Sequence, residues 1–470
     1  MRQKVLSIAA LILIFLVIYS NGQEALFDME QIRDALTLET EVIEDWHPVG
    51  GEIPTRQKFM TIRVGELWPG QDYRVPVRLI VPHDRKATGF HLTGGNRMQE
   101  IEKDLTPGPY DRELIEEGVG LVLTMVQNPG MLGQKELGDE MNRRFIETLN
   151  PHYSIQYWGW PATLMRAVTA AFAESDHFDK GKVAVSGASK NGASASVALI
   201  CDHRITAQHS MVGPIWDSPL RMCDRDAWDR LEKEYKEDHF FLGGTFGPIY
   251  NKDALEAGHS WEDLQKLAHR VADQIFISRN LDQLARRNVD MLFHPGTHDY
   301  VAFDLPWGGA HFPRIPIYLE ANTGHGYSFG LPPGDRQQRN LHAFLLDHFF
   351  KNTDPLLKAP SLTYEIKDST LKVTVRFKPG SGENSGRIFW MFDRPPEGST
   401  AYLQELFPED QWKEMAREQG AWTAEIALPG QATSIDFFST HGKEIYRKRR
   451  AYQTYLSSPY TRVKLSGKDQ

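Results

Sequence analysis

The stretch "VAVSGASKNGASAS", Val183 to Ser196, carries the decisive signal in this sequence. Val183 to Ser186 read as a strand, "GASKNG" as a turn and "ASASVALI" as the start of a close-packed helix. Gly187 leaves room for a tight bend, and Ser189 sits at its apex. Ser189 is either a nucleophile lifted off the end of a strand or an ordinary serine in a small-residue turn. Its neighbours along the chain decide between the two.

Working outward, apolar strand-like runs alternate with helical patterns. Upstream, "FMTIRVGEL" and "YRVPVRLIVP" pair through the turn "WPGQD", and "GFHLTGG" and "GVGLVLTMVQ" are each followed by a helical stretch. The helical "GWPATLMRAVTAAFAES" leads into "KVAVSG", and "ITAQHSMVG", "VDMLFHPG" and "IPIYLEANTG" follow in turn. Such continuous apolar strands between helices predict an α/β fold with a mainly parallel sheet covered on both faces. Residues 23 to about 60 are polar and poorly periodic and read as a lead-in. A helix "RNLHAFLLDHFF", with Leu341, Phe344, Leu345 and Phe349 on one face, closes the segment, and "KNTDPLLKAP" reads as a linker.

Beyond the linker the character changes. In "TLKVTVRF", Leu371, Val373, Val375 and Phe377 point one way and Lys372, Thr374 and Arg376 the other. "RIFWMF", "WTAEIAL", "TSIDFFST" and "AYQTYL" continue as short strands, which predicts a smaller C-terminal all-β sandwich. The basic run Arg447 to Arg450 reads as a solvated loop or strand edge. The expected division is a leader at 1–22, an α/β domain at 23–355 and a β-sandwich-like domain at 356–470.

The chain has 470 residues, 41% hydrophobic and 24% charged, enough for two domains with cores of their own. Its net charge of −9, with acidic residues dispersed, argues against nucleic acid as a partner. Arg2 and Lys4, the apolar run Val5 to Ser20 and the small residues Ser20 and Gly22 form a signal-peptide pattern cleaved near Gly22. The expected protein is therefore secreted or periplasmic, with no membrane anchor left after cleavage. Its two cysteines, Cys201 and Cys223, straddle one strand and either close a disulfide or stay as buried thiols. Oligomeric state is not legible.

A serine hydroxyl needs a base, a group orienting that base, and donors for the developing oxyanion. The α/β-hydrolase order is serine, then acid, then histidine, each after a strand of the sheet. "MLFHPGTHDYVAFD" supplies Asp299 in a loop after a strand, and "IYLEANTGHGYSFG" supplies His325 between Gly324 and Gly326. Ser189, Asp299 and His325 thus stand in that order, with Asp217 in "VGPIWDSP" as the alternative acid. The N–H of Lys190 and that of Gly95 or Asn96, in the glycine-rich "TGGN", are the expected oxyanion donors. The Lys190 side chain points away from Ser189 and is a poor base; it contacts an anionic substrate group or is a surface charge. His294, His298 and Asp299 lie close in sequence without a zinc or calcium pattern, so no metal is expected, and the chemistry needs no cofactor. Trp158, Trp160, Trp216, Tyr300 and Trp307 fall near the site, as core or as a platform for an apolar or sugar substrate.

The succession "HLTGGN", "VQNPG", "WGWPATLMRAVTA", "VAVSGASKNG", "HPGTHDY" and "NTGHGY" resembles the PhoPQ-activated pathogenicity-related family of exported α/β-hydrolase-like proteins. "RIFWMF", "WTAEIALPG", "IDFFST" and "YLSSPYTRV" are similar to that family's β-rich closing region, so the likeness spans about residues 30 to 465. It implies Ser189, Asp299 and His325 as triad positions. The family's elbow commonly reads Ser-Lys-Arg-Gly with an aromatic soon after; Asn191 and the "ASAS" run depart from it. The Ser-Lys-Asn-Gly form is also similar to the Ser-Arg-Asn-Gly turn of glucuronoyl esterases. The sequence thus points to an exported serine hydrolase acting on a carbonyl ester, carbohydrate-linked among them, or on a peptide. The competing reading is a catalytically silent secreted binding or signalling protein on the same scaffold.

Overall fold

The computed structural model describes residues 25–235, 252–325, 340–448 and 450–465; the expected leader at 1–22 lies outside them. No helix among the described residues is long and apolar enough to cross a membrane.

Eight strands form the main sheet: β1 (Glu41–Val49), β2 (Thr55–Trp68), β3 (Gln71–Pro82), β4 (Ala87–Thr93), β5 (Val119–Thr124), β6 (Phe178–Ala188), β7 (Ala207–Met211) and β8 (Asp290–His294). Their order is β1-β2-β3-β5-β4-β6-β7-β8. The first three form an antiparallel meander, and β3 pairs antiparallel with β5. From β5 onward every pairing is parallel. This is an α/β-hydrolase-type sheet, and the parallel half is where the elbow lies.

The central strands are buried on both faces, as their continuous apolar runs require. On β6, Val183 and Val185 face one core with helices Trp160–Ala173 and Lys190–Cys201, while Ala184 faces the other with Phe344, Leu345 and Phe349. Helix Lys190–Cys201 packs so closely because Gly192, Ala193, Ser194, Ala195 and Ser196 are all buried against the sheet. The "ASAS" serines stay satisfied there: Ser194 Oγ donates to Lys190 O at 2.6 Å, and Gln208 Nε2 donates to Ser196 Oγ at 2.6 Å.

Two elements depart from the sequence reading. The polar lead-in contains β1, an edge strand whose outer residues are exposed, so it carries no apolar alternation to read. The lead-in is also anchored, because buried Arg166 donates through Nη1 to the carbonyls of Gln31, Ile32 and Asp34. Conversely, "IPIYLEANTG" forms no ninth strand among the described residues; Ile317 makes an isolated parallel bridge to Phe293. The C-terminal region claims part of its backbone: Ser457 N donates to Ile317 O, and Leu319 N donates to Ser457 Oγ, each at 2.8 Å.

The C-terminal region holds two antiparallel sheets. The strands are β9 (Ser361–Lys367), β10 (Thr370–Arg376), β11 (Glu383–Phe392), β12 (Trp412–Glu414), β13 (Ala416–Glu418), β14 (Ala421–Ala427), β15 (Ser434–Arg447), β16 (Arg450–Ser457) and β17 (Thr461–Lys464). One sheet runs β13-β14-β10-β9 and the other β12-β11-β15-β16, with β17 on β15. Leu371, Val373 and Val375 are fully buried, in the alternation read from "TLKVTVRF". Two residues of the basic run, Arg447 and Lys448, are held in ion pairs. Arg447 pairs with Glu113 at 3.1 Å and Asp347 at 3.3 Å, and Lys448 pairs with Glu116 at 2.7 Å, so these cations tie the β15–β16 hairpin to the α/β region. Cys201 and Cys223 are two free thiols, which removes the disulfide from the readings left open.

Candidate active site

Ser189 occupies the bend between β6 and helix Lys190–Cys201 with φ 58° and ψ −127°. A side-chain-bearing residue rarely adopts this conformation, which costs on the order of 1–3 kcal/mol and persists only where the surroundings enforce it. Ser189 N donates to Met211 O at 3.0 Å, and Ala193 N donates to Ser189 O at 2.9 Å, so β7 and the helix hold the bend from either side.

Gly187 makes the bend sterically feasible. A Cβ there would lie 2.5 Å from Asn191 Cβ and 2.7 Å from Asn191 C. Gly187→Ala is therefore expected to destabilise the protein by about 1–3 kcal/mol through overpacking, seen as a lowered midpoint in denaturant unfolding. An unchanged midpoint would mean the turn yields freely.

The structure brings Ser189, His325 and Asp299 together. His325 Nε2 lies 2.8 Å from Ser189 Oγ, and His325 Nδ1 lies 3.0 Å from Asp299 Oδ1. A carboxylate only accepts, so Nδ1 carries the proton and Nε2 presents its lone pair to the Ser189 hydroxyl. Asp299 is fully buried, and its Oδ1 also accepts from Val301 N at 2.8 Å. Tyr300 flanks the imidazole, with ring centroids 4.6 Å apart. Asp217 lies elsewhere: its carboxylate accepts from Ser278 Oγ and Arg279 Nε, each at 2.6 Å. Asp299, not Asp217, faces His325.

The glycine-rich "TGGN" loop is pressed against the first turn of the serine's helix. A Cβ on Gly94 would lie 3.1 Å from Asn191 Oδ1, and one on Gly95 3.4 Å from Asn191 Nδ2. Asn191, the residue that departs from the usual elbow, thus fills the space between the elbow and this loop. Asn96 spends its side chain on the loop, with Nδ2 donating to Thr93 O and Thr124 O at 3.0 Å, so only its backbone N–H is a candidate donor. Lys190 opens the helix, so its N–H has no intrahelical acceptor. Its ammonium bonds to Gln127 Oε1 beside the Trp160 ring, and partial burial lowers its pKa. Gln127 was not singled out by sequence, since nothing marks one glutamine as a lysine's partner.

Of the two readings of these aromatics, Trp158 and Trp216 follow the core one: they are 5% and 1% exposed and packed into the hydrophobic core. Trp307 stacks on His311 at 4.5 Å. Among the described residues one group has metal-ligand spacing, Glu44, His47 and Asp104, but Arg78 already bonds both carboxylates at 3.0 and 3.1 Å. His294 and His298 do not converge: His294 packs on His209, and His298 Nε2 donates to Glu405 O at 2.7 Å.

No family model and no curated protein matches this chain. Among solved structures it is similar to an acetyl xylan esterase from Paenibacillus sp. R4, at 14% identity over 69% of this chain and 92% of that one, with a TM-score of 0.37. It is also similar to a CE15 glucuronoyl esterase from Teredinibacter turnerae, at 12% identity and a TM-score of 0.32, covering 55% of this chain and 61% of that one. The acylaminoacyl peptidase of Pyrococcus horikoshii aligns at 12% identity over 66% of this chain and 50% of that one, with a TM-score of 0.34. The chain thus spans under two thirds of the glucuronoyl esterase and half of the peptidase. At this similarity, function has to be argued from the site's own geometry.

Proposed function

We propose that this chain is an exported serine hydrolase that cleaves a carbonyl ester, carbohydrate-linked esters among them, with peptide bonds the lesser option. The reading rests on one observation, the hydrogen-bonded chain from Ser189 Oγ through His325 to Asp299, 2.8 and 3.0 Å long. Ser189 Oγ attacks the carbonyl carbon while His325 Nε2 takes its proton. The oxyanion is met by the N–H of Lys190 and that of Gly95 or Asn96. His325 then returns the proton to the leaving alcohol, and a water repeats the sequence on the acyl-enzyme. Asp299 holds the imidazole in the tautomer this requires. The ammonium of Lys190 is engaged with Gln127, which leaves His325 as the base.

The proposed organisation is a hydrolase unit at 23–355, following a leader at 1–22, and a β-rich unit at 356–470. Membership of the PhoPQ-activated pathogenicity-related family belongs to the same proposal and rests on the elbow and the "NTGHGY" loop. A fluorophosphonate probe tests the reading. The wild type is expected to be labelled and Ser189→Ala to stay unlabelled. Labelling that survives the substitution would sink the assignment. So would a wild type that resists the probe across pH, as a binding protein on this scaffold would.

A further inference from the structure

The loops that carry Asp299 and His325 are held from outside by one short segment of the C-terminal region, Arg394 to Phe407. We propose that this segment is the positioning element of the site: without it, Asp299 and His325 lose their alignment with Ser189. This inference rests on the hydrolase reading above.

Three contacts make the clamp. Arg394, 3% exposed, donates through Nη2 to Thr297 O at 2.6 Å, two residues before Asp299. His298 Nε2 donates to Glu405 O at 2.7 Å, one residue before Asp299. Asn322, three residues before His325, mimics a backbone pairing: its Nδ2 donates to Phe407 O at 2.9 Å and its Oδ1 accepts from Phe407 N at 2.8 Å. The two held loops are also joined to each other, His298 N donating to Thr323 O at 2.9 Å.

The clamp is itself braced. Arg394 lies over the Tyr402 ring, 3.6 Å from its centroid, and donates to Tyr402 O at 3.0 Å and Tyr460 Oη at 2.6 Å. Tyr460 donates to Asp436 at 2.5 Å, and Asp436 pairs with Arg462 at 2.7 Å. The guanidinium is planar and always charged, so its fork sets the Thr297 carbonyl in one place, which a lysine ammonium does not reproduce. Asn322 has φ +64°, so the loop before His325 starts from a conformation that its two hydrogen bonds to Phe407 enforce. Thr297, His298, Asn322 and Arg394 are all buried, so their polar groups would be orphaned if the segment withdrew. A misplacement of about 1 Å at a reacting group is enough to cost on the order of a hundredfold in rate.

The test uses the full chain with Arg394→Lys and, because loss of a buried guanidinium risks the fold, also Asn322→Gly, which keeps the positive φ and removes only the amide. Hydrolysis of p-nitrophenyl acetate is measured, with thermal unfolding to confirm folding. In folded variants kcat is expected to fall about 10- to 100-fold with KM nearly unchanged. Folded variants with wild-type kcat would overturn the clamp and leave the hydrolase reading intact. If the wild type itself neither turns over nor takes a fluorophosphonate, the hydrolase reading falls. The clamp is then decided by the downfield His325 Nδ1 proton resonance, assigned by its loss in His325→Gln. That signal is expected in the wild type and lost or broadened in both variants; its persistence unchanged overturns the proposal.

Discussion

Ser189→Ala is expected to lower kcat by roughly four to six orders of magnitude, the range seen when a triad nucleophile is removed. Ser189→Gly should lose as much activity and yet gain stability. Its φ of 58° and ψ of −127° penalise any side chain, and glycine adopts such values freely. The expected gain is about 1 kcal/mol, the lower end of the strain at such a residue. Turnover of p-nitrophenyl acetate and the denaturant midpoint, measured on both variants, separate chemistry from folding. Activity retained by Ser189→Ala would remove the nucleophile. A Ser189→Gly midpoint at or below that of the wild type would show that the turn stores no strain.

The second large effect is acid instability. Burial lowers the pKa of His91 to about 4 and of His209, His298 and His441 to about 3, and it holds His294 well below the usual value. His209 is further lowered by His91, and His298 by the charge of Arg394. In the unfolded chain each takes a proton near pH 6.5, while in the fold each stays neutral until far lower pH. From about pH 6.5 downward the unfolded state therefore binds more protons, and stability falls with pH until the folded values are reached. At pH 4.5 each of His91, His209, His298 and His441 costs about 2–3 kcal/mol.

Asp347 and Glu397 are pushed up to about 6 and about 7 by burial and work in the opposite sense. Their protonated forms favour the fold, so they offset part of the loss as pH falls. The neutral buried histidines, His342 among them, outweigh the two carboxyls and still leave a net penalty comparable with a whole domain's stability. Cooperative unfolding is expected between about pH 4 and 5, followed by far-UV circular dichroism. His441→Gln, which cannot take a proton, should shift the acid midpoint downward. Stability that is flat from pH 7 to 4.5 would refute the neutral-histidine account.

Much of the site was legible because it depends on local order. The elbow needs a strand, a glycine before the serine and small residues after it, and all of these are contiguous in Val183 to Ser196. The places of Asp299 and His325 follow from which loops end at one edge of a parallel sheet. The parallel strands were readable for the same reason: two buried faces leave continuous apolar runs. Strand β1 was not, because an exposed edge strand satisfies its backbone through β2 and asks little of its side chains.

The sequence by itself determined the parallel sheet, the elbow, and the order serine, acid, histidine, since each is set by periodicity or by neighbours within a few positions. Only the tertiary structure shows which of Asp299 and Asp217 lies against His325, because both follow strands and only packing brings the Asp299 carboxylate to 3.0 Å from Nδ1. It also decided that Trp158 and Trp216 are core, and that Asn191 fills the gap beside the "TGGN" loop. The contact of Arg394 with Thr297, 97 residues apart, lies in the same class. Such contacts join residues whose separation along the chain carries no period, so packing alone fixes them.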